Sequence, residues 1–196
     1  MKNKVLIIVM AAVLIAVCVF RCYSINKELE VYATEELNYS VGEEIPFEND
    51  FFFNSGDNSN GYSVTVLDKN YMKTDEFKEK YGSDDEDLLG FSDYVYLVRI
   101  NVKNISNNKG EAKGVDISRF LLQESSFICY PDKEAFFLAN DFDSPGFSLS
   151  PGKEREFIIP FGIISEYNDI ERLENKDTKL VISLYPHKKM VSLNQR

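Results

Sequence analysis

The chain has little of the chemistry on which many extracellular and catalytic proteins depend. It contains three cysteines, Cys18, Cys22 and Cys129, and one histidine, His187. Two of the cysteines fall within the first 22 residues, so no disulfide framework is available to the remainder. A domain there has to be held by its own core, as a domain of this length can be. Cys129 lies within Phe127-Ile128-Cys129-Tyr130, an apolar setting that predicts a buried, inert thiol. A single histidine excludes the HExxH metal motif, and no GxSxG or phosphate-loop sequence occurs. Pro186-His187-Lys188-Lys189 reads as an exposed turn, and neither a Cys–His nor a Ser–His–Asp set can be assembled around it. A hydrolase built on paired carboxylates leaves no local signature, so that class stays open from sequence. The lack of motifs in a small β-rich domain nevertheless favours a non-enzyme without a cofactor.

Long hydrophobic runs are also absent, with one exception. Lys2 and Lys4 precede an uninterrupted apolar stretch from Val5 to Phe20, and Arg21 closes it. A basic start before an apolar run is the pattern of a secretory signal or signal anchor. As a helix the run spans about 24 Å, slightly short of a bilayer core and slightly long for a signal peptide. Cys22-Tyr23-Ser24 is a poor cleavage site, and Val17 before Cys18 is large for a lipoprotein signal. The expectation is an uncleaved anchor over residues 1–23 that contacts the cytoplasmic membrane through residues 5–20; cleavage and lipidation are the alternatives. Lys2 and Lys4 favour an inside N-terminus, which places the bulk of the chain outside the cytoplasm.

All 32 acidic residues, but only 19 of the 22 basic ones, lie beyond residue 23, giving that part a net charge of −13. Such a field repels phosphate backbones and argues against nucleic acid as a partner. A protein or peptide, preferably basic, suits it better. The chain's 11 Tyr and 15 Phe exclude a disordered stalk.

Residues 24–50 read as an acidic juxtamembrane segment and residues 51–196 as the folded domain. Phe51-Phe52-Phe53 is expected to start the first strand and cover one end of the core, before the polar loop from Asn54 to Gly61. Beyond it the pattern has period two. Tyr62, Val64 and Val66 alternate with polar residues. In Tyr94–Ile105, Tyr96, Val98, Ile100 and Val102 share one face and Arg99, Asn101 and Lys103 the other, the mark of a half-buried antiparallel strand. Phe120–Gln123 and Phe127–Tyr130 suggest a hairpin. Phe157, Ile159 and Phe161 form another strand, where Pro160 points to an edge or a strand end. Leu180, Ile182 and Leu184 alternate before Pro186, and Lys189–Leu193 offers one more strand. One helix is predicted from an N-cap at Thr74 to a stop at Gly82, with Phe77 and Tyr81 on one face. A weaker one follows Asp132, through Ala135 to Leu138. Short strands with helices only as inserts predict an all-β protein, a sandwich of two sheets.

Taken in order, Tyr94-Val95-Tyr96-Leu97-Val98-Arg99-Ile100-Asn101-Val102-Lys103-Asn104, the Phe120-Leu121-Leu122 strand, Leu149-Ser150-Pro151-Gly152-Lys153 and Phe157-Ile158-Ile159-Pro160-Phe161 resemble a known pattern. It is that of the membrane-anchored or secreted immunoglobulin-like domains of unknown function of Gram-positive bacteria, with a long strand, an asparagine turn and a later Leu-x-Pro-Gly turn. The resemblance spans roughly residues 60–186. It implies an immunoglobulin-like antiparallel β-sandwich and carries no catalytic residue.

The densest charge run, Asp84-Asp85-Glu86-Asp87, is the one candidate partner-binding site. Asp141 and Asp143 supply only two ligands to a calcium ion that needs six to eight, and read as turn formers. The expected function is a non-catalytic, membrane-anchored, extracytoplasmic binding module. The alternatives are a structural subunit of an envelope complex assembled through the apolar helix, and an immunity-type protein that captures a cationic toxin or peptide.

Overall fold

The computed structural model describes residues 10, 13–24, 34–53, 59–108, 114–125, 127–166 and 178–194. They divide into two compact units, residues 1–34 and residues 35–196. In the first unit residues 13–24 are helical with exposed side chains. No helix among the described residues is long and apolar enough to cross a membrane, so the transmembrane helix expected over residues 1–23 is not found there. Residues 1–9 and 11–12 of that run lie outside the described residues, as do residues 25–33 and 54–58 of the segments expected as tether and loop.

The second unit is mostly β. Eleven strands are described: β1 (Glu35–Ser40), β2 (Glu44–Pro46), β3 (Tyr62–Lys73), β4 (Tyr94–Asn104), β5 (Val115–Asp116), β6 (Leu121–Gln123), β7 (Ile128–Cys129), β8 (Gly146–Phe147), β9 (Glu154–Ile163), β10 (Lys179–Val181) and β11 (His187–Ser192). Two helices are inserted, α1 (Thr74–Tyr81) between β3 and β4 and α2 (Lys133–Asn140) between β7 and β8. One sheet runs β1-β11-β10-β6-β7, a second β2-β3-β4-β9, and β5 and β8 form a small ribbon. All pairs are antiparallel except β1, which lies parallel to β11.

The two large sheets share one core, the arrangement of a β-sandwich. Val64 and Val66 of β3, Tyr96, Val98 and Ile100 of β4, and Phe157, Ile159 and Phe161 of β9 meet Leu122, Leu180, Ile182 and Val191 of the other sheet. These are the residues that the period-two pattern puts on inner faces. Every core residue among those described lies at Ile45 or later, so the second unit has a hydrophobic core of its own, as an independently folding domain does. Its start is nevertheless earlier than residue 51. β1 and β2, within the stretch read as juxtamembrane, are paired into the two sheets, and Ile45 and Phe47 are fully buried.

β4 also departs from the half-buried reading. Val95 and Leu97, on its outer face, are buried under α1, the loop after it and α2, in a second cluster with Phe77, Leu88, Leu89 and Ala135. Only from Arg99 onward does the outer face meet water, where Arg99 bridges Asp68 and Glu156. α1 itself forms as predicted, with the Phe77 and Tyr81 rings 4.6 Å apart, and ends at Gly82 in the left-handed conformation (φ 75°). Its cap differs. Lys73 holds the N-cap position without a side-chain bond, and Thr74 is the first helical residue. The Thr74 hydroxyl donates instead to the Ser92 carbonyl, 2.7 Å away. α2 starts as expected, the Asp132 carboxylate accepting from the Ala135 N–H at 2.8 Å. Burial raises the Asp132 carboxyl above its ordinary value, against the effect of that bond.

Phe51-Phe52-Phe53 does not start the first strand. Phe51 makes an isolated bridge to Tyr185, Phe52 packs with Leu121, Val181 and Met190 on the outer side of the first sheet, and Phe53 is exposed.

The two turns named in the resemblance are bonded to each other. Asn104 ends β4, fully buried, and its amide donates to the carbonyls of Asn107 (2.7 Å) and Leu149 (2.6 Å) while accepting from the Asn107 N–H (2.7 Å). Its backbone pairs with Gly152 and Lys153. Gly61 closes the same knot from the other side at φ 91°, where a Cβ would lie 2.7 Å from the Asn107 nitrogen.

Two buried hydroxyls, those of Tyr96 and Thr178, have no hydrogen-bond partner among the described residues. Burial drives the Tyr96 phenol well above the ordinary value, so it stays neutral. Tyr96→Phe deletes a polar atom whose desolvation nothing offsets. It is expected to raise stability by about 1 kcal/mol in urea unfolding. A loss of stability would show that the hydroxyl is bonded after all.

Candidate functional site

The acidic run stands on the loop from Gly82 to Asp93, between α1 and β4. Asp84, Asp85, Glu86 and Asp87 are all exposed. The loop is folded against itself: the Asp85 N–H donates to the Ser83 hydroxyl (3.2 Å), the Asp87 N–H to the Asp85 carboxylate (2.9 Å), and the Lys78 ammonium to the Glu86 carbonyl (3.0 Å). Leu88 and Leu89 then turn inward onto the second cluster. Leu89 adopts φ 67° and Gly90 φ 56°; a left-handed leucine costs on the order of 1–2 kcal/mol, and such strain persists only where the surroundings impose it.

The chain reverses at once, and Phe91 projects outward with 96% of its surface exposed. Beyond it the loop is pinned again. Thr74 bonds the Ser92 and Asp93 carbonyls, the Asp93 N–H donates to the Ile163 carbonyl, and the Asp93 carboxylate accepts from the Ser165 N–H at 2.7 Å and from the Ser165 hydroxyl. The slight loss of hydration at Asp93 would raise its carboxyl, but the Ser165 bonds outweigh that and hold it below the usual value. A fully exposed aromatic ring on a backbone fixed at both ends, beside four carboxylates, has the form of an interaction anchor.

The other end of the sandwich holds a buried charged cluster that the sequence did not announce. His187 and Lys189, expected in an exposed turn, sit on β11. Lys189 is 1% exposed, and its ammonium contacts Asp50 Oδ2 (2.6 Å), Glu48 Oε2 (2.7 Å) and the Pro46 carbonyl (2.6 Å). Burial by itself would lower the Lys189 value; the Asp50 and Glu48 carboxylates more than reverse this and raise it. Asp50 Oδ1 lies 3.0 Å from His187 Nδ1, and His187 Nε2 is 3.8 Å from Glu35 Oε2. Arg119, also buried, stacks its guanidinium 3.9 Å over the Phe47 ring and bonds the Ser59 hydroxyl and the Asp50 carbonyl.

An Asp–His contact resembles the orienting half of a catalytic triad. Here the second ring nitrogen faces a carboxylate instead of a nucleophile. The cluster joins the 46–50 loop and β1 to the last strand. No group of three or more His, Cys, Asp or Glu placed to hold a metal occurs among the described residues.

α2 shapes a third feature. It lies along β9, the edge of its sheet, and occupies that edge chemically. Asn140 bonds both the N–H and the carbonyl of Ile158, each at 2.8 Å. The Asp132 N–H takes the Pro160 carbonyl, and Cys129 Sγ the Gly162 carbonyl at 3.2 Å. Strand addition along residues 158–162 of β9 is thereby blocked. Cys129 is half-buried where a buried thiol was expected, and burial, helped by the Asp132 charge, pushes its thiol up to about 11. Past Asn140 the chain leaves α2 at Asp141 (φ 48°), and Phe137, Leu138 and Phe142 floor an open depression beside it.

A family model for a domain of unknown function, DUF5028, matches residues 36–189. The chain belongs to this family. The DUF5028 match begins inside β1 and ends inside β11, so the family unit is the whole two-sheet domain, with the acidic loop, the buried cluster and α2 all within it. No curated protein and no solved structure matches the chain.

Proposed function

We propose that this DUF5028 protein is a non-catalytic, extracytoplasmic, immunoglobulin-like interaction module, anchored at its N-terminus, that binds a basic protein or peptide through the Gly82–Asp93 loop. The single observation that carries the binding site is Phe91, fully presented beside Asp84, Asp85, Glu86 and Asp87 on a loop bonded at both ends. An aromatic ring presented on a backbone that is already fixed costs little backbone ordering on binding, and aromatic residues are enriched at interfaces. The four carboxylates favour a cationic partner and speed its encounter.

The immunoglobulin-like part of the reading draws support from the strand pairs. With β3 as strand A, β4 as B, β6 as C, β9 as E, β10 as F and β11 as G, the pairs A–B, B–E, C–F and F–G are present and antiparallel. α2 and the β8 ribbon stand where strand D would run. The anchor and the location outside the cytoplasm rest on Lys2, Lys4 and the Val5–Phe20 run.

A crosslinking capture from intact source cells tests this, comparing the full chain, a soluble form of residues 24–196, and that form carrying Phe91→Ala. The expected result is one partner recovered by the first two and reduced about tenfold or more by the substitution, which is too exposed to disturb the fold. Recovery by the full chain alone would replace this reading with that of an envelope subunit assembled through its apolar helix.

A further inference from the structure

We infer that the depression beside α2 is a second contact for the same partner, and that it receives a basic peptide segment carrying an apolar side chain next to its lysines or arginines. This inference rests on the interaction-module reading above and extends it to a defined surface. Two open depressions meet at Leu138 and Asp141, one of about 630 Å³ and one of about 400 Å³. Each is within the size range of peptide side-chain and small-ligand sites. The floor of the larger is apolar, made by Phe137, Leu138 and Phe142, while Glu134, Asp141 and Asp143 form its rim. Glu156 stands on the rim of the smaller.

Charge decides the occupant. Two of the cations beside this surface, Arg99 and Arg155, are engaged within the protein, and Lys133 at the start of α2 is outnumbered by Glu134, Asp141 and Asp143. Arg99 is held between Asp68 and Glu156, and Arg155 lies over the Phe142 and Phe157 rings, 5.0 and 5.1 Å from their centroids, with Nη2 on the Asn140 carbonyl at 3.3 Å. The rim carboxylates Glu134, Asp141 and Asp143 have no such partner cation in either depression. These exposed carboxylates repel an anionic ligand and attract an ammonium or guanidinium.

Position gives the link to Phe91. Leu88 and Leu89, which carry the acidic loop, and Ala135, Leu138 and Ala139 of α2 pack into the same cluster on the outer side of β4. Loop and depressions are therefore linked through Leu138, the residue the two depressions share, while Phe137 and Phe142 lean on the inter-sheet core; a basic segment that meets Phe91 is offered the α2 depression across this one cluster. The occupied stretch of the β9 edge fits this geometry, because Asn140 already holds both backbone groups of Ile158 and a partner arriving there meets side chains.

The test uses a synthetic ten-residue peptide of alternating lysine and leucine bearing one tryptophan. The protein contains none, so the peptide's fluorescence is read directly. Residues 24–196 are titrated as the wild type, as Glu134→Gln/Asp141→Asn/Asp143→Asn, and as Asp84→Asn/Asp85→Asn/Asp87→Asn. The two triple variants remove the same charge, and asparagine suits the left-handed position at 141. The expected result is binding by the wild type, weakened about tenfold or more by the groove variant and more than by the loop variant. Equal binding by the wild type and the groove variant overturns the inference, while a loss confined to the loop variant leaves the Phe91 reading standing. No binding to the wild type also overturns it. Equal losses in both variants reduce the effect to net charge and overturn it as well. Leu138→Ala in the wild-type background then separates shape from charge: a contact groove loses affinity at unchanged charge, and a groove that keeps its full affinity takes no apolar side chain.

Discussion

Lys189→Met is expected to lower the stability of the domain by about 3–5 kcal/mol, read as a lower urea midpoint at neutral pH with an unchanged slope. The methionine fills the space of the lysine stem, so the effect isolates the charge. What remains is the carboxylate of Asp50, 3% exposed, stripped of the ammonium that lay 2.6 Å away and left with only the His187 ring at 3.0 Å. Glu48 is largely solvated and loses little. A companion variant, Lys189→Met with Asp50→Leu, is expected to recover most of the loss, because an apolar pair of similar volume often matches a buried ion pair. A loss below about 1 kcal/mol in the single variant would mean that the pair is solvated and not part of what holds the fold.

The sign with pH follows from the raised Lys189 value. A cation with a higher value folded than unfolded contributes its full stability below the unfolded value, about 10.4, and loses it as pH rises through the folded one. The wild-type protein should therefore lose stability in strongly alkaline solution, and Lys189→Met should show less of that loss.

Asn104→Ala is expected to cost at least about 3 kcal/mol, with the same urea measurement as its check. The side chain makes three bonds of 2.6–2.7 Å at a fully buried position, to both backbone groups of Asn107 and to the Leu149 carbonyl. Removing it leaves buried groups unpaired, at about 1–3 kcal/mol each. Asn104→Asp should also be poorly tolerated, since a carboxylate cannot donate to the Asn107 and Leu149 carbonyls. If Asn104→Ala unfolds with the wild-type midpoint, water replaces the amide freely and the turn is not a knot.

These two positions differ in how far a linear reading reaches them. Asn104 was legible: a strand ending in asparagine, followed some 45 residues later by Leu-Ser-Pro-Gly, was part of the pattern that suggested the fold, and the two turns prove to be hydrogen-bonded partners. The strands beneath them were legible for the same kind of reason. Alternation in Tyr96, Val98 and Ile100, or in Phe157, Ile159 and Phe161, is a local consequence of the pleat and survives any choice of partner.

Lys189 was not legible. Lys188 and Lys189 are identical in type and adjacent, and the pleat sends one toward Glu36 in water and the other into the interior against Asp50, 139 positions away in sequence. Nothing local distinguishes them. Leu37 and Tyr39 of β1 were hidden by the carboxylates around them, so the strand passed for a tether. Val95 and Leu97 were on the face assigned to water, because a single strand does not reveal that a helix thirteen or more residues earlier will cover it.

The candidate site divides along the same line. The charge of Asp84–Asp87, its place between a helix stop and a strand, and the apolar setting of Cys129 were properties of composition and neighbours. That Phe91 stands outside while Leu88 and Leu89 turn in depends on where the second cluster lies, and that cluster draws on α1, β4 and α2 together. That Asp141 and Asp143 border a depression depends on Phe137 and Phe142 meeting beside it.

By itself the sequence determined the acidic character of the domain, the β class, the inner faces of the long strands, both helices and the want of catalytic motifs. These follow from residue type, period and capping, which act over a few residues. Only the tertiary structure decided the parallel pairing of β1 with β11, the second cluster outside β4, the occupation of the β9 edge at Ile158 by Asn140 and the burial of Lys189. Each of these depends on contacts between residues far apart in sequence, and such contacts exist only once the sheets have closed on a common core.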